Sequence, residues 1–224
     1  MKISTLLETK VDEFCLDFKR NSRLFKMGRE GLLTTELVKN YVRNLEYLFK
    51  SNCQHIAVAA DLYQANPVLS NFFINKFEEE NGHDQWARND LKALGQESNL
   101  QAMSEMEEMV RFLELTLKTS PYAYISYMYF AEYMTAVLGP IWLELMKKNL
   151  GINSTQVTSL SKHVELDGDH ASEVAMFLDD QNLHEVQIQN VMKFISEMAG
   201  FYNNFFNKLA ERHESRNTEY QRSV

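Results

Sequence analysis

Apolar residues return along this chain every three or four positions, the spacing that brings side chains to one face of an α-helix. Val157, Leu160, Val174 and Phe177 form such a stripe, but His163, Asp167 and His170 stand on it between the apolar ends. The same period predicts helices over residues 4–18, 34–65, 69–94, 98–117, 122–150, 154–180 and 183–213. In the first of these Leu6, Val11, Phe14, Cys15 and Phe18 should face inward. Asn66-Pro67, Gly95, Ser120-Pro121 and Gly151 supply stops and starts, and Gly139-Pro140 should kink the fifth helix. Residues 21–31 read as a polar connection. Period-two alternation does not survive counting, and no repeat or linker divides the chain. The expectation is an all-α bundle of about seven helices, one domain over residues 1–214, with a polar, disordered tail over 215–224.

Three more helices carry charge where a core residue should be. The third has Phe73, Phe77, Glu80, Asp84, Ala87 and Leu91 on one seam, with His83 beside it. Glu80 and His83 have the Glu-x-x-His spacing that lets one helix give a carboxylate and an imidazole to one metal site. Glu79 is an alternative ligand one position away, and a Glu run is more often a solvated face. Glu132 is the one charged residue between Tyr122 and Trp142. Burying it without a partner costs several kcal/mol, so a tyrosine, a lysine or a metal must compensate it. Glu46 shares a seam with Val42, Phe49, Cys53 and Ile56, and a boundary ion pair with Arg43 or Lys50 is its bland alternative. His55 reads as packing, and His184 and His213 as surface residues. Gly168, costly inside a helix, would admit the close approach of a neighbour or a substrate.

Composition narrows the class. Eight Gly and three Pro in 224 residues leave few helix breakers, and a net charge of −8 argues against nucleic acid or an anionic membrane as partner. Cys15 and Cys53 sit in apolar stretches and read as reduced thiols of a cytoplasmic protein. The N-terminus turns acidic too early for a signal peptide, and the weakly charged run 122–146 is too polar for a membrane span.

Glu46, Glu80, His83, Glu132, His163, Asp167 and His170 thus form the candidate ligand set. Carboxylates mixed with imidazoles, without thiolates, suit iron or manganese better than structural zinc. Seven ligands are too many for one ion that must also bind substrate, and about right for two ions sharing a carboxylate. Two adjacent ferrous ions can give two electrons to dioxygen. Tyr122, Tyr124, Tyr127, Tyr129, Phe130 and Tyr133 could line a dry cavity around Glu132, although ordinary core packing accounts for most of them.

This order of motifs, with the segments EEENGHDQWARNDLKALG and KHVELDGDH, resembles the heme-oxygenase-like diiron oxidases and oxygenases, which share a fold with heme oxygenase, thiaminase II and pyrroloquinoline-quinone synthase. The resemblance covers residues 34–180. It implies a seven-helix bundle, a homodimer, two non-heme irons (or manganese) on the residues just named, and dioxygen with a small organic molecule as substrates. Other members of the fold imply other readings. One is a metal-free, thiaminase-like hydrolase with a cysteine nucleophile. Another is a non-catalytic binder of a metal, a tetrapyrrole or a partner protein. Heme oxygenase itself needs a proximal histidine early in the chain, and none precedes His55.

Overall fold

The computed structural model describes residues 2–222, with side chains as far as Glu214. Nine α-helices make up the described residues: α1 Ile3–Asn21, α2 Arg23–Arg29, α3 Thr35–Leu62, α4 Pro67–Glu80, α5 His83–Ala93, α6 Ser104–Thr119, α7 Pro121–Leu150, α8 Thr158–Asp180 and α9 Glu185–Arg222. A single 3-10 turn, Ser154–Gln156, leads into α8. Of the polar, disordered tail expected over 215–224, the backbone of 215–222 continues α9, while its side chains and residues 223–224 lie outside the described residues.

Local chemistry accounts for most of the boundaries. The Thr34 hydroxyl caps α3 by accepting the Leu37 N–H at 3.3 Å, and the Asn66 side chain accepts from Val68 and Leu69 at the start of α4, with Pro67 in the first turn. Gly151, at φ +69°, ends α7 in the left-handed conformation that glycine adopts without strain. The start of α8 has no cap of its own. Asp90 of α5 supplies one, accepting the N–H groups of Thr158 (2.8 Å) and Ser159 (2.7 Å) and the Ser159 hydroxyl (2.6 Å). This buried carboxylate pins α5 to the first turn of α8.

Two differences from the sequence reading matter. Residues 23–29 form a helix rather than a polar connection, with Leu24, Phe25 and Met27 buried. Seven residues containing a glycine are too few for a period to be read. The predicted helix 69–94 is two helices, because Gly82 turns at φ +96° and separates α4 from α5. Smaller differences are α6, which starts at Ser104, and α1, which buries Leu7 rather than Leu6.

The long α7 lies at the centre, with α8 along it and α1, α6 and α9 also against it, while α3 packs on α4, α5 and α6. Its residues from Ala123 to Phe130 are all buried, as a helix apolar on every side should be. The close approach of α7 and α8 occurs at Gly139, where a Cβ would meet Val164 Cγ2 at 2.3 Å. Gly168, expected to serve that purpose, is exposed, with nothing near it.

Candidate metal centre

The α8 stripe enters the core as its spacing predicts. His163 and Asp167 are buried, His170 is partly buried, and Glu165, Asp169 and Glu173 face outward. The His163 Nδ1 lies 2.5 Å from the Ser159 carbonyl oxygen. A carbonyl can only accept, so Nδ1 carries the proton and Nε2 keeps its lone pair. Burial, opposed by the nearby Glu80 charge, holds this imidazole below its ordinary pKa, in the neutral form a metal requires. Its ring stacks on Phe49, with centroids 4.6 Å apart and planes within 8°, and meets His83 edge-on at 4.8 Å. His83 stacks in turn on Trp86.

The break at Gly82 changes how the Glu-x-x-His pair is built. Glu80 ends α4 and His83 opens α5, so the two do not share a helix face. The turn still brings them together, with His83 Nδ1 2.9 Å from Glu80 Oε2. Burial pushes Glu80 up, but its hydrogen bond to His83 and the charges of His83, His163 and Lys76 outweigh that and hold it below the usual carboxylate range.

Two donor groups result. Glu80, His83 and His163 place one ligand atom each within 4.8 Å of one another, and so do Glu80, Glu132 and His170. Glu80 belongs to both. Asp167 lies beside the second group, with its Oδ1 4.0 Å from His170 Nδ1. Burial and the Glu80 charge push Asp167 up to about 8. Glu132 is raised well above the ordinary range by burial, opposed by Lys76 and reinforced by Glu80 and Asp167. Its Oε2 is buried with no hydrogen-bond partner. An orphaned carboxylate oxygen among other acidic groups is what a cation-binding site looks like without its cation.

Glu46 is not part of this cluster. It is fully buried, but Oε1 accepts from Arg88 Nε at 2.9 Å and Oε2 from the Ser98 hydroxyl at 2.5 Å. Helix α3 faces the centre with Leu45, Phe49 and Asn52 instead. The Glu46 carboxylate is a structural ion pair, though not with Arg43 or Lys50. A Glu46→Ala variant should therefore keep its metal content. It should lose about 2 kcal/mol of stability, between the values for exposed and for fully buried pairs because the Arg88 side chain is 31% exposed. Metal analysis and thermal unfolding read the two effects separately. Glu79 is likewise no member of either donor group, and pairs with Lys76 at 2.6 Å.

Beside the donors lies a cavity of about 90 Å³. Glu80, Glu132, His163 and Asp167 line one part of it, while Leu48, Ile56, Met106, Met128, Phe205 and Phe206 are among its apolar walls. Of the tyrosines expected near Glu132, Tyr124 and Tyr127 line it, joined by Tyr202. Tyr133 instead donates to Asp12 at the edge of the core. The Tyr127 hydroxyl accepts from Asn52 at 2.8 Å, and burial pushes it up to about 12. The Tyr124 hydroxyl is buried without a partner. Both stay protonated at neutral pH.

The donor set fits a hard or borderline divalent ion, with carboxylate oxygens and imidazole nitrogens converging and neither cysteine among them. A porphyrin does not fit the cavity as it stands, since the space is far too small and His163 is held between Phe49 and His83. Neither thiol is activated. Burial pushes Cys15 up to about 12, and burial with Asp84 and Glu80 raises Cys53, the opposite of what a nucleophile needs. Of the other histidines, His55 packs edge-on against Tyr124 and His184 is exposed. His213, expected at the surface, is buried with a ring nitrogen 3.0 Å from the Thr34 hydroxyl.

Lys76 is the buried charge beside the donors that the sequence reading left out. Its side chain is 3% exposed and points at Glu79, Glu132 and Glu173. The signal was available, because Leu69, Phe73, Lys76 and Glu80 repeat at helical spacing. The seam read on this helix runs through Phe73 and Phe77 and does not include Lys76, a residue type that is rarely buried unless paired.

No family model matches the sequence, and no curated protein does. Solved structures do match over nearly the full length. A domain of unknown function with a heme oxygenase-like fold from Shewanella denitrificans is 19% identical, with a TM-score of 0.86 over 94% of this chain and 93% of that one. A TenA homolog from Pseudomonas syringae is 9% identical, with a TM-score of 0.71 over 92% of each chain. Heme oxygenase-2 from Synechocystis, solved with heme and NO, is 14% identical, with a TM-score of 0.71 over 93% of this chain and 85% of that one. Among the described residues no helix is long and apolar enough to cross a membrane. With all nine helices arranged in this way, the chain has the heme-oxygenase-like fold.

Proposed function

We propose that the protein is a non-heme iron oxidase or oxygenase that holds two metal ions side by side, iron or alternatively manganese, and uses dioxygen to oxidise a small, largely apolar molecule. The observation that carries this reading is the double membership of Glu80, one carboxylate within ligand distance of two separate donor pairs. Glu80, His83 and His163 would hold one ion, and Glu80, Glu132 and His170, with Asp167 alongside, the other. Two ferrous ions held there would supply the pair of electrons that reduces dioxygen to the peroxide level.

The remaining roles fall to the chain. The Ser159 carbonyl fixes the His163 tautomer, and the Phe49 stack fixes its ring plane. The aliphatic and aromatic walls keep water from the cavity and would admit a small apolar substrate beside the donors. The Tyr124 hydroxyl, protonated and unpartnered, is free to donate to a polar atom of that substrate.

The test is to purify the protein without chelator, load it anaerobically with ferrous iron, remove excess metal and then admit oxygen. The reading expects about two irons per chain and oxygen uptake that follows iron content. Protein that folds, retains no iron and takes up no oxygen overturns it.

A further inference from the structure

Lys76 sets the two donor groups apart. Its ammonium lies 2.6 Å from Glu79 Oε2, 3.8 Å from Glu132 Oε1 and 3.8 Å from Glu173 Oε2. The contact with Glu79 is a hydrogen bond. The approach to Glu132 is a charge pair too long to be one, and it leaves Glu132 Oε2 buried and unpartnered. Around the other group, the Phe49 and Trp86 rings flank the two imidazoles, and Lys162 lies over the Trp86 ring, 4.2 Å from its centroid, rather than against a ligand carboxylate.

We infer that Lys76 is a built-in counter-cation that makes the two metal positions unequal. This rests on the two-metal reading above. With the second position empty, the ammonium stands 3.8 Å from Glu132 Oε1, beside the place that a cation there would take. An arriving divalent ion meets a fixed positive charge next to its own ligand and is repelled in a site where water screens little. It binds only when Lys76 withdraws toward Glu79 and Glu173, the second of which is open to solvent. The Glu80–His83–His163 position therefore fills first, and the Glu132 position fills later and more weakly.

The test uses Mn(II), whose stoichiometry is read by metal analysis and whose pairing is read by electron paramagnetic resonance. In the unaltered protein the second ion should bind at least about tenfold more weakly than the first, the usual size of an effect acting beside a ligand rather than through one. At one Mn(II) per chain the spectrum should be that of isolated ions. In Lys76→Met the second affinity should rise about tenfold, and coupled pairs should appear at lower loading. Lys76→Gln, which keeps a hydrogen-bond donor near Glu79 but carries no charge, should raise the second affinity by a similar factor and decides the matter if Lys76→Met does not fold.

If the second affinity is the same in the unaltered protein and in the lysine variants that fold, the inference is overturned and the two-metal reading stands. If neither the unaltered protein nor the variants bind Mn(II), both are overturned.

Discussion

Glu80→Ala should empty both metal positions at once. Each of the two compact donor groups has three members, and Glu80 is the one they share. Losing a direct ligand should weaken each position by more than about 100-fold, since even a partner one step behind a ligand costs about 10–100-fold. His163→Ala should remove metal from the first position and spare the second, and Glu132→Ala should do the reverse. Only the Glu80 variant is expected to bring bound metal to background in a single step. The fold should tolerate the change, because the side chain is 16% exposed and its one recorded hydrogen bond is to His83. Metal-free stability should shift by about 1 kcal/mol or less. Metal analysis after desalting, together with circular dichroism, reads both quantities. A Glu80→Ala protein that keeps two ions per chain would remove the shared carboxylate, and with it the reason for placing the ions side by side.

What the sequence disclosed of this centre depended on how many explanations a buried charge admits. On α8 the stripe with His163, Asp167 and His170 between apolar ends left two readings, an inward seam or exposed imidazoles, and the structure buries His163 and Asp167 with His170 partly buried beside them. Glu132 was legible for a similar reason, being a single charge in a long apolar run. Glu46 looked equally out of place, yet its compensation comes from Arg88 and Ser98, 42 and 52 residues further along. Helical period reports that a carboxylate is buried. It does not report whether an ion pair or a metal makes burial tolerable.

The Glu80–His83 pair was found from a spacing that assumed an unbroken helix. Asn81-Gly82 is a turn dipeptide, and the seam running through it masked the break. The pair survives because a tight turn also brings positions i and i+3 together. Lys76 shows the converse, a period that was present and that the seam through Phe77 passed over. The overall bundle was legible because nearly every helix carries an apolar face long enough to count. The seven residues of α2 are the exception.

The acidity of the centre gives the metal-free protein an unusual response to pH. Asp167 sits at about 8 in the folded chain against an ordinary 3.8, because it is buried beside Glu80. Glu132 is raised for the same first reason. A carboxyl group whose folded pKa is raised binds its proton more tightly in the native state than in the unfolded chain. Its stabilising contribution is complete below the unfolded value and fades as pH rises to the folded one. His163 and His55 are shifted down by burial, so their contributions run the other way, but only below the unfolded value of 6.5. Lys76 is raised from 10.5 and Cys53 from 9.0, so both act at higher pH. Between about pH 6.5 and 8 the two carboxyls therefore dominate among these groups, and the metal-free protein should lose thermal stability as pH rises. Bound metal requires the carboxylates without their protons, so binding should release protons in this window and tighten with pH. The melting temperatures of metal-loaded and metal-free protein should consequently diverge from pH 6.5 to 8. Calorimetric titration with Mn(II) in buffers of different ionisation enthalpy should count the protons released. A metal-free protein that gains stability across this range, with no proton release on binding, would mean that Asp167 and Glu132 are already ionised in the empty site and that Lys76 alone suffices to hold them so.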